Sequence, residues 1–244
     1  MDSRWKDSDM TRSQVAAQPA SPLLELTVTL LIPSLILMKL SGAEYLGPVN
    51  ALLAALAFPL GWGAREYLRA RRFNFFAALG FVSVLLTGGI GLLQLDPKWL
   101  AIKEAAIPAM LGLAVAVSAF TRYPLVRVLL FSPAIMQVER IHSKLEARGN
   151  RAAFEAKLVN ATWMLAGAFL FSAVMNYFLA SWVVTSAPGT EAFNEELGRL
   201  TLLSYPVIAL PSMLMMMGAL FYLARSLRQL AGLGLADILH STKG

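Results

Sequence analysis

Long apolar runs alternate with short polar segments along most of this chain. A bilayer core about 30 Å thick is crossed by a helix of about 20 mostly apolar residues, and six segments have that character. They are Leu23–Leu40, Gly47–Ala64, Phe75–Leu95, Pro97–Phe120, Leu158–Val184 and Leu200–Ala224. The pattern therefore predicts an all-α polytopic membrane protein with six transmembrane helices.

The connection between the fourth and fifth spans is long and has helix signals of its own. Ser132 and Pro133 are typical of a helix start, and Gly149 followed by Asn150 is typical of a helix end. Apolar residues recur between them at helical spacing: Ile135, Val138, Ile141 (or His142) and Leu145. These signals predict a cytoplasmic amphipathic helix over 132–149. It either lies on the inner membrane surface, with its basic side toward anionic lipid, or packs under the bundle.

Lysine and arginine residues fall mainly on one side of the predicted bundle. The two tails and the second and fourth connections hold 17 of the 21 basic residues. The other four are Lys39, Lys98, Lys103 and Arg199. Because basic residues in short connections stay in the cytoplasm, both termini are predicted to be cytoplasmic. We expect a multi-pass protein of the bacterial inner (plasma) membrane.

Three segments follow from this topology. Residues 1–22 are predicted to be a disordered cytoplasmic tail, because they are polar and rich in Ser, Asp and Gln. Residues 23–225 form the six-helix membrane domain, which includes the interfacial helix 132–149. Residues 226–244 form a second cytoplasmic tail.

Composition narrows the classes of function. Apolar residues make up 57% of the chain and charged residues 15%, as in membrane proteins. There is no cysteine, and the two histidines, His142 and His240, do not make a metal site, so we predict no metal and no cofactor. No serine has triad partners at similar depth, and no helix carries an acid and base pair of carboxylates, so we predict no enzyme. The net charge of +6 follows from topology, and no nucleic-acid partner is expected.

Two adjacent charges lie inside the fourth span. Asp96 and Pro97 are typical of a helix start, which places Lys103 and Glu104 roughly 9 to 11 Å beyond it. A free charge at such depth costs about 2.5–3.5 kcal/mol on insertion scales. These groups should therefore pair, face a wet cavity, or extend toward water.

The charged residues near the predicted outer surface suggest a binding site. We hypothesise an outward-opening polar pocket that binds a substrate and is lined by Lys39, Glu44, Trp99, Lys103 and Glu104. In the alternative interpretation, Lys98 and Lys103 extend outward to water while Trp99 lies in the interfacial aromatic belt. Small residues on the third and fourth spans also predict a tight hairpin between them.

A run of motif residues occupies the centre of the chain. It comprises Thr87-Gly88-Gly89, Leu92-Leu93, Asp96, Lys98-Trp99 and Lys103, followed by Pro108 and Pro124-Leu125-Val126. With Ile32-Pro33 and the Arg69–Arg72 end of the second span, this run resembles the intracellular septation protein A family of bacterial inner-membrane proteins. The resemblance extends over about residues 25–130, and the last two spans are similar to larger six-helix relatives. It implies a role in envelope maintenance or division through membrane partners.

Two functions remain open on these observations. The first is a small carrier or lipid-handling protein of the cell envelope that uses the charged outer-side residues as a head-group site. The second is a non-transporting scaffold for the envelope maintenance or division machinery. The expected partners are membrane lipids, anionic on the cytoplasmic face, and a second copy of the chain or other membrane proteins.

Overall fold

A computed structural model describes residues 22–70, 75–121, 124–126 and 138–233. Helices account for 85% of these residues, and the described part of the chain contains no strand. The all-α class predicted from hydropathy is therefore confirmed. The predicted tail 1–22, apart from Pro22, and the start of the predicted helix 132–149 lie outside the described residues, as do residues 234–244 of the second predicted tail.

The helices are named here in chain order. They are α1 (Pro22–Leu26), α2 (Ile32–Lys39), α3 (Gly47–Ala70), α4 (Phe75–Leu92), α5 (Lys98–Ser118), α6 (Val138–Ala147), α7 (Arg151–Val183), α8 (Glu191–Ser204) and α9 (Leu210–Ala231). A π-helical turn at Thr27–Leu31 joins α1 to α2, and another at Tyr205–Ala209 joins α8 to α9. Pro33 and Pro211 each follow such a turn by two residues. A proline removes one backbone donor from the ladder, and a widened turn accommodates that loss.

Four helical segments in the described residues are long and apolar enough to cross a membrane. They are Gly47–Arg65, Lys98–Ser118, Arg151–Val183 and Glu191–Ala231. They coincide with the second, fourth, fifth and sixth predicted spans. The third predicted span contains the shorter apolar helix Ala78–Leu92.

The helices meet around two apolar cores. One core lies at the end of the bundle that holds the 40–46 and 184–190 connections, and it includes Leu100 and Phe193. The other lies at the end that holds α6, where Ile141 and Leu145 pack with residues of α7 and α9. Both α6 side chains are only 1% exposed. The described part of the predicted amphipathic helix therefore packs against the bundle, which was one of the two alternatives.

Glycines show which helices approach most closely. A Cβ atom on Gly112 of α5 would lie 3.1 Å from Cβ of Phe169 in α7, and one on Gly88 of α4 would overlap Leu56 of α3. α5 packs mainly along α7, and α4 packs mainly on α3. The predicted tight α4–α5 hairpin is wrong in this respect, because these glycines serve other interfaces. Polar side chains, described in the next section, join α4 to α5.

Candidate functional site

The ammonium group of Lys103 lies between α4 and α5. Its Nζ atom is 2.6 Å from Oε1 of Glu104, and it donates hydrogen bonds to Oγ1 of Thr87 at 2.8 Å and to Oγ of Ser83 at 3.3 Å. An ammonium has three N–H donors, so each has an acceptor. The Lys103 side chain is 8% exposed. The lysine is therefore held inside the protein and does not extend outward to water.

The two hydroxyl groups come from one face of α4. Ser83 and Thr87 are four residues apart, so they lie one above the other on the helix. Thr87 Oγ1 donates its own proton to the Ser83 carbonyl at 3.1 Å. Its lone pairs are thus left to accept from the ammonium. Their position opposite Lys103 depends on how α4 packs on α5, so it could not be inferred from the sequence of α4 alone.

Glu104 completes the cluster from the neighbouring position on α5. Adjacent helical residues leave the axis about 100° apart, so their Cα–Cβ bonds do not point into the same groove. The long side chains nevertheless bend toward each other and bring their charged ends into contact. Glu104 is 31% exposed, so the carboxylate is the side of the pair that solvent or a ligand reaches. The pair carries no net charge, which lowers the cost of placing it at depth.

The other three residues of the predicted pocket lie elsewhere. Lys39 and Glu44 are exposed, and neither forms an ion pair with any residue that the structure describes. The Glu44 carboxylate lies over Gly42 instead. Trp99 is 51% exposed, as suits a ring at a membrane interface. Of the five predicted site residues, the structure brings together Lys103 and Glu104.

The start of α5 is set by Asp96, as the sequence indicates. Oδ1 of Asp96 accepts the Lys98 backbone N–H at 2.9 Å, and Oδ2 is 3.1 Å from the Lys98 ammonium. These contacts, led by the backbone hydrogen bond, hold the pKa of Asp96 below its ordinary value. The regular helix begins at Lys98, one residue later than predicted.

A second polar cluster was missed at the sequence level. Asn194 is 1% exposed, and its Nδ2 donates to Oγ of Ser41 at 3.0 Å and to the Pro48 carbonyl at 2.7 Å. Its Oδ1 atom is buried and has no hydrogen-bond partner among the residues that the structure describes. The acidic sequence of the surrounding segment is typical of a solvated connector. It instead begins α8, where Thr190 Oγ1 accepts the Phe193 N–H at 3.2 Å.

An open depression of about 630 Å³ lies along the C-terminal half of α5. It is lined by Met110, Leu113, Ala114, Val117, Ser118, Thr121 and Leu125, and its walls are mainly apolar. None of the five predicted site residues lines it. Within the part of the chain that is described, no group of three or more His, Asp and Glu residues is placed to hold a metal ion.

Long apolar helices and a charged cluster placed between two of them are the features of a helical membrane protein. No family model matches this chain, and neither a curated protein nor a solved structure matches it. The resemblance to the septation family therefore stays a prediction.

Proposed function

We propose that this chain is an integral protein of the bacterial inner membrane that acts as a small carrier or lipid-handling protein. The Lys103–Glu104 pair is its charged outer-side site. The observation that carries this proposal is a lysine that is 8% exposed in the second turn of a long apolar helix. Ionisable residues at membrane depth are expensive, and they typically mark substrate or ion pathways.

The arrangement of the pair suggests what it would bind. A zwitterionic head group carries a cation that can meet Glu104 and an anion that can meet Lys103. Glu104 is the accessible partner, so the cationic end of the substrate reaches the site first. The anionic end then replaces the Glu104 carboxylate as the acceptor for Lys103, while Ser83 and Thr87 keep the ammonium in place. Such an exchange keeps the site neutral at each step.

Two helices besides the four long apolar segments are long enough to complete six spans. An even number of spans places both termini on the same side, which we take to be the cytoplasm. The continuous helix 22–39 and α4 each contain 18 residues. At 1.5 Å per residue each is about 27 Å long, which is close to the thickness of a bilayer core. The helix 191–231 has 41 residues and is much longer than one crossing requires, so its ends extend beyond the core.

The carrier proposal is tested by removing the charge of Lys103 or of Glu104 while keeping the protein folded. Lys103→Met and Glu104→Gln should abolish head-group binding or transport in proteoliposomes, while the amount of folded protein remains sufficient to assay. Lys98→Met is the matched control, since Lys98 lies on the same helix but is exposed at 62%. Full activity in both Lys103→Met and Glu104→Gln, at normal expression, would contradict the proposal.

A second function, a scaffold for envelope maintenance or division, is favoured by one observation. All three donors of Lys103 are already satisfied within the chain, so the cluster can hold α4 on α5 without any ligand. The partner would be another membrane protein or a second copy of the chain. The lipid-facing side of α4 offers a surface for it, since Phe81 and Leu85 are 45% and 50% exposed.

Photocrosslinking in native membranes distinguishes the scaffold from the carrier. A crosslinking amino acid at residue 81 or 85 should capture one defined protein, whereas the same group at Leu170 of α7, which is 60% exposed, should not. Capture of lipid alone from all three positions would exclude these α4 positions as the scaffold contact.

A further inference from the structure

A cluster of hydrogen-bond donors lies where α7 and α9 leave the predicted membrane core. Lys157 directly precedes the fifth predicted span, and Arg225 directly follows the sixth. The Lys157 ammonium lies 5.7 Å from the ring centre of Tyr222, and Asn160 Nδ2 donates to the Tyr222 hydroxyl at 3.2 Å. Two helices that are distant in sequence thus bring a lysine and a phenol together, and Arg225 follows Tyr222 by about one turn of α9.

Neighbouring residues on each helix extend this cluster. Asn160 is three residues from Lys157, and Arg225 is three residues from Tyr222, so each pair shares a helix face. Asn160 and Arg225 are exposed. The Tyr222 oxygen accepts from Asn160, and its own O–H donates to no residue that the structure describes, so it can donate to a ligand.

No carboxylate neutralises this cluster within the described residues. The acidic residues nearest in sequence, Glu146 and Glu155, pair with Arg151 at 2.9 and 4.0 Å. Lys157 and Arg225 have no ion pair with a described residue. The cluster therefore offers N–H and O–H donors and positive charge to a ligand that must bring its own acceptors.

The surface just inside this level is aromatic. Trp163 is six residues beyond Lys157 on α7, about 9 Å along the helix axis, and is 47% exposed. It contacts the edge of Phe120, with ring centres 5.6 Å apart and planes at 82°. An apolar tail can lie along these rings while its head group meets the cations, which is the usual arrangement at a membrane interface.

We infer that Lys157, Asn160, Tyr222 and Arg225 form a binding site for the phosphate of an anionic phospholipid in the inner leaflet. The leaflet follows from the proposed placement of both termini in the cytoplasm, but the site does not depend on the carrier role. Free phosphate has the same acceptor chemistry, but it has no tail to cover Trp163 and Phe120. The phospholipid fits both parts of the surface.

The test counts lipids bound to the detergent-purified protein by native mass spectrometry, with phosphatidylglycerol as the probe and phosphatidylcholine as the neutral comparison. Each cation near anionic lipid contributes about fivefold in affinity, so Lys157→Gln with Arg225→Gln should weaken phosphatidylglycerol binding by about 25-fold. Tyr222→Phe should weaken it by a smaller factor, because the ring is kept and one O–H donor is lost. Lys157→Arg with Arg225→Lys should retain binding.

The matched control removes two other exposed cations that the topology also places on the cytoplasmic side. Arg65 stacks over Trp62 at 5.5 Å, and Lys144 lies exposed on α6. Arg65→Gln with Lys144→Gln should leave phosphatidylglycerol binding within twofold of the unaltered protein. An equal loss in this control would show that only net charge matters, and would overturn the site.

Two further results would also overturn it. One is equal binding of phosphatidylcholine and phosphatidylglycerol by the Lys103→Met variant, in which the proposed site for zwitterionic head groups is removed, and the other is full displacement of the lipid by millimolar inorganic phosphate. Circular dichroism and size-exclusion chromatography establish that the variants are folded. Lys103→Met should bind phosphatidylglycerol normally, so the failure of the carrier proposal and the failure of this inference are separate outcomes.

Discussion

Lys103 of α5 and Thr87 of α4 are joined by a 2.8 Å hydrogen bond from the ammonium to the threonine hydroxyl. This bond connects two helices that otherwise pack mainly against other partners, α3 for one and α7 for the other. A charge that the sequence predicts in a binding pocket is thus also a structural link between two helices. The proposed binding role and the stability of the protein therefore depend on the same side chain.

Thr87→Val should destabilise the protein more than Ser83→Ala. Valine has a similar shape but leaves one N–H of a nearly buried ammonium without an acceptor, which costs about 1.5–3 kcal/mol for a charged donor. The bond to Ser83 is longer, at 3.3 Å, and its loss should cost less. Thermal unfolding in a mild detergent measures both, and equal midpoints would contradict the order.

Gly198→Ala should be strongly destabilising. Its Cβ would lie 2.9 Å from the Ser34 carbonyl oxygen and 2.6 Å from Cγ of Met38, so α8 would have to move away from α2. Overpacking of this kind typically costs about 1–3 kcal/mol. Gly167 of α7 is the control, because a Cβ there meets no atom of the described residues within 4 Å. Gly167→Ala should be neutral or stabilise by about 0.5–1 kcal/mol through helix propensity, and a similar loss in both variants would refute the packing argument.

Asn194→Asp should be more harmful than Asn194→Leu. Aspartate places a carboxylate oxygen against the Pro48 carbonyl and loses both N–H donors in a site that is 1% exposed. Leucine also loses the donors, but it removes the unpartnered Oδ1 and introduces no charge. The yield of monodisperse protein and its unfolding temperature should rank native, then leucine, then aspartate. If Asn194→Asp were instead more stable than Asn194→Leu, Oδ1 of Asn194 would have a hydrogen-bond partner in the membrane.

The cap at the start of α5 should make stability depend on pH in the acid range. The pKa of Asp96 is lowered in the folded protein from its ordinary value of 3.8, so its carboxylate stabilises the fold at neutral pH. That contribution is present above the unfolded pKa and is lost as the pH falls through the lower folded pKa. Asp96→Asn should therefore reduce the difference in unfolding temperature between pH 6 and pH 3. An unchanged difference would show that the cap contributes nothing.

Several features were accessible from the sequence because their causes are local. The apolar segments that make up α3, α5 and α7 follow from windows of about 20 residues. The start of α5 follows from Asp96 and Pro97, since capping involves only neighbouring residues. The cost of burying Lys103 likewise follows from its place in an apolar run.

Other features were not accessible, because they depend on which faces of separate helices meet. Asn194 lies in an acidic stretch that resembles a connector, yet it contacts Ser41 and Pro48, which are about 150 positions earlier in the chain. No local pattern reveals such a contact. The same reason explains why Gly88 packs on α3 rather than on α5.

The sequence by itself determined that this chain is helical, where its long apolar helices lie, and that Lys103 and Glu104 sit inside one of them. Hydropathy and helix capping are local properties, so they can be read along the chain. Only the tertiary structure decided that Lys103 meets Ser83 and Thr87 rather than Lys39 or Glu44. The rotation of each helix about its axis is set by packing with all of its neighbours at once. That rotation determines which residues an inward-facing charge such as Lys103 contacts.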